Sequence, residues 1–199
     1  MSVTFHDIEQ RSAEWFALRL GRITASQADL VVGKRRHEVV TRIARERAGL
    51  PVPGVDVTDA MQYGIDHEDD ARAYYSFCTG SAVITTGFVT RDDVPHVGAS
   101  PDGIVMPRGL VEIKCPAYST HAGYVKSGRP PSRYVWQIQF QLWVSGLDWC
   151  DFVSYRHDAE PLICRVERCE KSIEKIEWSC KIADAEASAL VSKLLEGEK

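Results

Sequence analysis

Ser100-Pro101-Asp102-Gly103, followed by Gly109-Leu110-Val111-Glu112-Ile113-Lys114-Cys115, is the stretch on which the fold turns. The second segment reads as a β-strand, in which successive side chains alternate between faces. Leu110, Glu112 and Lys114 then share one side, and Val111, Ile113 and Cys115 the other. A glutamate and a lysine near the core of a central strand cost heavily in desolvation unless the two charges serve each other and a cation. Ten residues before Glu112, Pro-Asp-Gly places a carboxylate at a turn into the neighbouring strand. If the two strands pair as a hairpin, Asp102 comes close to Glu112. Two carboxylates and the backbone carbonyl of Ile113 make an all-oxygen site, which suits Mg2+ or Mn2+ and not zinc. Lys114 beside it would orient or help deprotonate a water at the metal and offset the charge growing on a phosphorane. Glu-x-Lys and Pro-Asp-Gly are each common alone. In register, they point to phosphodiester hydrolysis without a covalent intermediate.

Outward from this core, the sequence predicts helices before it and a helix, strands and a helix after it. Ser12 to Leu20 reads as a short amphipathic helix ended by Gly21. Thr24-Ala25-Ser26-Gln27 has the form of a capping box, which sets Ser26 in the exposed-amide first turn of a second helix. A third spans about His37 to Ala48, and Thr58 opens a long helix towards Gly80. Val83–Thr90, Val97–Ala99, Ile104–Met106 and Leu110–Cys115 read as a meander of strands. Ser132 to Ser145 is apolar at helical spacing and reads as a buried helix. Strands at about Cys150–Tyr155 and Leu162–Val166 precede a closing helix from Ser172. This order predicts an α/β (α+β) fold: a mixed central β-sheet flanked by helices, in one domain over residues 1–199.

Composition is that of an ordinary soluble globular chain, with 44% hydrophobic and 26% charged residues, which excludes disordered and fibrous classes. No apolar run is long enough for a membrane helix and the N-terminus is not signal-like, so no membrane role and a cytoplasmic location are expected. A net charge of −4 is unusual for a DNA-binding protein, but its distribution is uneven. Residues 1–50 carry nine basic and six acidic side chains, residues 51–107 two and nine, and residues 108–133 five and one. Two basic blocks thus flank an acidic one, as suits a metal site between phosphate-contacting surfaces.

Ser-Pro-Asp102-Gly with Glu112-Ile-Lys114-Cys-Pro resembles the PD-(D/E)xK nuclease core, and specifically the phage lambda exonuclease or YqaJ-like viral recombinase family. Leu-Arg19-Leu-Gly-Arg-Ile-Thr-Ala-Ser26, Gly64-Ile-Asp-His-Glu68-Asp-Asp-Ala-Arg and Gln137-Ile-Gln-Phe-Gln141-Leu-Trp are similar to its other signatures, in the same order. The resemblance implies a restriction-endonuclease-like core. It implies that Asp102, Glu112 and the Ile113 carbonyl hold two Mg2+ ions, for which Mn2+ may stand in, with Glu68 approaching through water. It implies that Lys114 acts at the nucleophile and that Gln137 orients a water or the substrate. Arg19 and Ser26 correspond to a pocket for a 5′-phosphate, Arg35 to a further DNA contact that Arg36 is placed to replace, and Met61 to an apolar wedge between base pairs. Where the family's best-known member has an arginine near Thr120, this chain has none, and that phosphate contact is lost or passes to Arg129 or Arg133.

The implied activity is 5′-to-3′ digestion of linear double-stranded DNA from 5′-phosphorylated ends to mononucleotides, leaving a 3′ single strand for recombination by strand annealing. The resemblance also implies a ring-shaped homotrimer, a single-strand annealing recombinase as partner, and a phage or prophage origin. Residues 160–199 match little of the family. Two rivals stay open: a PD-(D/E)xK endonuclease of structure-specific or restriction type, and a non-catalytic DNA-end-binding module. Related helicase-associated nucleases hold an iron–sulfur cluster on four cysteines, one of them N-terminal. Here the first cysteine is Cys78 and the later ones lack compact spacing, so no cluster is expected and all six thiols are expected reduced.

Overall fold

In the computed structural model, which describes residues 2–54 and 57–196, the chain opens with strand β1 (Val3–His6) and helix α1 (Ala13–Arg19). Ser12 caps α1 by accepting from the Trp15 amide at 3.2 Å, and Gly21, at φ +69°, lets the chain leave it. Strand β2 (Ile23–Thr24) leads into a 3₁₀ turn over Ala25–Gln27 and a five-residue helix α2 (Ala28–Val32). The expected capping contact forms, with the Gln27 side chain accepting from the Thr24 amide at 3.1 Å. The element it opens is nonetheless a 3₁₀ turn, so Ser26 does not head a long helix. Helix α3 (Arg36–Arg47) follows, then α4 (Asp59–Asp66) and α5 (Glu68–Thr79).

Thr58 caps α4 as expected, accepting from the Met61 amide at 3.3 Å, but the single long helix breaks at His67, whose backbone (φ −111°, ψ 6°) is not helical. Gly64 and Asp66, both poor helix formers, weaken the turn before the break. Its consequence is positional, because Glu68 starts a second helix with its own direction. The expected meander is likewise interrupted. Strand β3 (Val83–Ile84) stops short, β4 (Phe88–Arg91) pairs antiparallel with β1, and β5 (Val97–Gly98) pairs parallel with β2. The run ends at Gly87, where a Cβ would stand 2.2 Å from the Ile8 carbonyl oxygen, so only glycine lets the N-terminal segment lie so close.

The main sheet has five strands in the order β3, β6 (Gly103–Val105), β7 (Gly109–Lys114), β8 (Trp149–Ser154), β9 (Leu162–Glu167). All neighbours are antiparallel except β7 and β8, which run parallel from Gly109 opposite Trp149 to Lys114 opposite Ser154. Parallel neighbours need a crossover connection, and helices α6 (Tyr118–Ser127) and α7 (Ser132–Ser145) provide it. Helix α6 has no counterpart in the sequence reading. Helix α8 (Glu170–Glu196) closes the chain, beginning two residues before Ser172.

Alternation along β7 assigns its two faces. Leu110 packs with Ile138 and Leu142 of α7 and with Cys150 and Phe152 of β8. Val111, Ile113 and Cys115 pack with Ala71 and Tyr75 of α5. Helices therefore cover both faces of a mixed sheet, as the fold class predicts. The opposite side of α7 sends Phe140, Trp143 and Val144 into a larger cluster with α2, α3 and α8. Ile138 and Leu142 are fully buried, contributing about 1.5–3 kcal/mol each. That burial fixes the rotation of α7, and with it the polar side chains on the turns between.

Candidate active site

Strand β7 holds Glu112 at the middle of the sheet with no exposed surface. Such a carboxylate persists only if its oxygens are satisfied. Its Oε1 accepts from Gln137 Nε2 at 2.6 Å and pairs with the Lys114 ammonium, and its Oε2 accepts from Gln141 Nε2 at 2.6 Å. Both amides come from α7, where residues four apart share a face. Gln141 falls within the Gln137-to-Trp143 signature but was given no role there, although its spacing from Gln137 was the available signal. Its own Oε1 is buried and has no hydrogen-bond partner among the described residues.

The turn before β6 delivers Asp102 as expected. Gly103 pairs with Val111 in the hairpin, and Asp102 Oδ2 accepts from the Ile113 amide at 2.6 Å, tying the turn to β7 one position before Lys114. On the other side, Glu68 reaches the same place from the first turn of α5. Arg72, one turn along, donates to Glu68 Oε1 at 2.8 Å and to the Asp102 carbonyl at 3.2 Å, linking α5 to the turn. Arg11, at φ +70°, stands 3.9 Å from Glu68. Burial and the charges of Glu112 and Glu68 hold the Asp102 carboxyl well above the usual carboxylate range, against the opposing pull of Lys114. Burial alone would lower the Lys114 ammonium, but Glu112 and Asp102 outweigh it and raise it above its ordinary value. Lys114 therefore stays charged in this site.

Glu68, Asp102 and Lys114 border an open cleft of about 690 Å³, lined also by Arg11, Met61, Ile113 and Tyr134, while Glu112 is buried and does not line it. Met61 is 47% exposed there. Glu68, Asp102 and Ile113 line this cleft, and carboxylate and carbonyl oxygens are the donor type a hard divalent cation takes. Among the described residues no three His, Cys, Asp or Glu side chains are gathered as a ready-made cage. Glu112 is instead neutralised by Lys114.

A second cavity of about 300 Å³ is lined by Ser26, Asp29, Leu30, Arg133, Tyr134 and Gln137. Ser26 is thus brought beside Gln137. Arg19 is not among the residues lining that cavity: its guanidinium lies 4.0 Å from the Trp15 ring centre and donates to Ser100 Oγ at 3.4 Å, two residues before Asp102. Burial, with Arg42 nearby, lowers Arg19 to about 10. Arg35 makes a two-pronged contact with Glu38 at 2.6 and 2.7 Å, and Arg36 pairs with Glu186. Neither lines these cavities.

With this arrangement in view, comparison with known proteins is decisive. Residues 14–148, more than half of the chain, match the model of the YqaJ-like viral recombinase domain. The chain belongs to the YqaJ-like viral recombinase family. A family-like fold is seen in the crystal structure of an alkaline exonuclease (LHK-Exo) from Laribacter hongkongensis, with 36% identity, a TM-score of 0.87, and 94% of this chain and 98% of that one covered. The same exonuclease has been solved in complex with dAMP. A phage related exonuclease from Haemophilus somnus 129PT shares the fold at 16% identity, TM-score 0.67, covering 87% of this chain and 96% of that one. Uncharacterized protein R354 of Acanthamoeba polyphaga mimivirus is 27% identical over 163 residues, which are 75% of this chain. This chain spans only 30% of the length of that viral protein. No described helix is long and apolar enough to cross a membrane.

Proposed function

We propose that this family member is a Mg2+-dependent exonuclease that digests linear double-stranded DNA in the 5′-to-3′ direction, releasing mononucleotides and leaving a 3′ single strand for annealing-type recombination. The observation that carries the reading is that Asp102 and Lys114 open onto one cleft, with Lys114 and Gln137 on the buried Glu112 carboxylate. The likeness to LHK-Exo over nearly the whole chain supports the same reaction class.

Asp102, Glu112 and the Ile113 carbonyl would hold Mg2+, or Mn2+ in its place, with Glu68 contributing through water. The bound cation would lower the pKa of water and polarise the phosphate. Lys114 would orient the attacking water or help take its proton, and would offset charge on the phosphoryl oxygens. Gln137 and Gln141 fix the Glu112 carboxylate, so its oxygens are oriented before substrate arrives. Ser26 and Arg19 are assigned to the 5′-terminal phosphate, Met61 to the last base pairs and Arg35 to outlying backbone. Arg35 would have to exchange Glu38 for DNA. Repetition of two modest basic blocks around a homotrimer ring would reconcile the net charge of −4 with binding to DNA. We place the protein in the cytoplasm with a single-strand annealing recombinase as partner.

The test is end-labelled, 5′-phosphorylated linear duplex digested with Mg2+, beside closed circular DNA and the Asp102→Ala and Lys114→Ala variants. Release of the 5′ label first, as mononucleotide, with the circle intact and both variants inactive, is the expected result. Cleavage of the circle would make the protein an endonuclease, and cleavage by the variants at the parental rate would remove the site.

A further inference from the structure

Arg11 is the sole non-glycine residue with a positive φ among the described residues, at +70°. It is the third residue of a turn closed by the Ser12 amide on the Glu9 carbonyl at 3.2 Å, a position that glycine takes when φ is positive there. A side chain at that φ lowers stability because its Cβ crowds the backbone, and glycine would avoid the crowding. The turn is not free to relax. Gln10 Nε2 donates to the Thr86 and Pro101 carbonyls, both at 3.2 Å, and Trp15 Nε1 donates to the Gly87 carbonyl at 3.0 Å and Ser100 Oγ at 2.9 Å. The strained residue is therefore fastened to the segment that ends in Asp102. Strain kept at such a place points to a use for the side chain.

That side chain reaches the cleft. Arg11 lines it together with Lys114, and it also lines an adjoining acidic cavity of about 270 Å³, the two spaces sharing Gln10, Glu68 and Asp102. Its guanidinium is half-exposed and stands 3.9 Å from Glu68 Oε2, an ion pair too long and too solvated to hold it firmly. No other partner engages it among the described residues. Arg72 differs, because its fork is taken up by Glu68, Asp69 and the Asp102 carbonyl. Glu68 thus already has a closer counter-ion on Oε1, and Arg11 is not needed to neutralise it. A planar fork with donors to spare, beside the acids of the site, matches the oxygens of a phosphodiester. Its charge also counters Asp7, Glu9, Glu68, Asp69 and Asp102, whose combined field would repel a nucleic-acid strand. We propose that Arg11 is a further catalytic residue: its guanidinium leaves Glu68, binds a non-bridging oxygen of the phosphate being cut, and steadies the charge that grows there. The proposal rests on the nuclease reading above.

The experiment compares the full-length parent with Arg11→Gly, Arg11→Ala and Arg11→Lys. Each is melted, titrated with 5′-phosphorylated duplex by fluorescence anisotropy over a salt series in Ca2+, which takes the same oxygen donors as Mg2+, and assayed for kcat and KM with Mg2+. The glycine and alanine variants lose the same guanidinium but differ in strain. Both should fall about 10–100-fold in kcat/KM, with part of the loss in kcat, and both should lower the slope of log Kd against log salt by about 0.9. Arg11→Gly should nonetheless melt about 2–5 °C above Arg11→Ala. Arg11→Lys should recover the slope but only part of kcat, because a lysine keeps the charge and loses the fork. Parental kcat/KM in Arg11→Gly overturns the proposal, whatever Arg11→Ala does, since the backbone alone would then account for the residue. A slow Arg11→Gly with the parental salt slope also overturns it, and would make Arg11 a counter-ion that positions Glu68. A parent that binds duplex with an Arg11-dependent slope but cuts nothing with Mg2+ would remove the nuclease reading while upholding the phosphate contact.

Discussion

Replacing Gln141 by methionine should leave the fold nearly as stable as before and yet weaken the enzyme's use of its metal. The substitution removes the 2.6 Å donor to Glu112 Oε2, a bond to a charged acceptor worth about 1.5–3 kcal/mol. It also removes the buried Oε1, which has no partner among the described residues and whose desolvation costs about 1–3 kcal/mol. The two effects oppose each other, and methionine fills nearly the same volume without branching, so the net change should fall within about 1–2 kcal/mol. For a chain of this size that is a melting shift of roughly 2–8 °C at most. Function has no such offset. A residue supporting a metal-ligating carboxylate typically commands about 10–100-fold in metal affinity or activity. Thermal melts in EDTA and rates across a Mg2+ titration read both sides, and half-saturating Mg2+ should rise by about 10–100-fold. An unchanged Mg2+ requirement would show that Gln137 and Lys114 alone orient Glu112. Gln141→Ala should lose more stability than the methionine variant because it adds a cavity, and equal losses would contradict the offset.

Three further outcomes are expected. The raised Asp102 carboxyl means that the folded, metal-free state binds its proton more tightly than the unfolded chain. Metal-free protein should therefore gain stability as pH falls through that folded value towards the free aspartate value of about 3.9, and lose it on the alkaline side. Asp102→Asn should flatten this dependence and melt higher than the parent at alkaline pH in EDTA while being inactive, and a lower melting point there would refute the crowding. Gln139→Leu should cost about 2–4 kcal/mol with activity per folded molecule retained, because Gln139 donates to the Glu167 carbonyl at 2.7 Å and accepts from the Cys169 amide at 2.8 Å; denaturant melts beside single-turnover rates separate the two. Arg19→Ala should slow digestion of 5′-phosphorylated ends more than of 5′-hydroxyl ends, and equal slowing of both would withdraw Arg19 from the terminal-phosphate assignment.

What was legible in the sequence was whatever a short-range period encodes. Alternation in Gly109–Lys114 assigned both faces of β7 correctly, and the Asp102 turn does lead into its hairpin partner. Helix α7 declared itself through apolar spacing because it is buried on two sides. The break at His67 left no comparable mark, since Tyr63 and the residues after it keep helical spacing across a single non-helical position. Strands β4 and β5 looked like neighbours of β3 because pairing depends on partners far away in the chain, here β1 and β2. At the site, the acids and the lysine could be read from type and spacing. The linking role of Arg72 could not, because charge alone does not distinguish a link between elements from a solvated surface.

The parallel step between β7 and β8 has a consequence for how the chain matures on the ribosome. The strand bearing Glu112 and the helix that quiets its charge are joined by the very segment that must swing over the sheet before β8 can dock. A nascent polypeptide ending ahead of Trp149 already owns the Asp102 hairpin, but α7 then lacks Cys150 and Phe152, part of the apolar seat that keeps Gln137 and Gln141 in place. Hydrolytic competence thus comes with closure of this loop and not gradually. Fragments cut within it by a cellular protease should be inert towards chromosomal DNA.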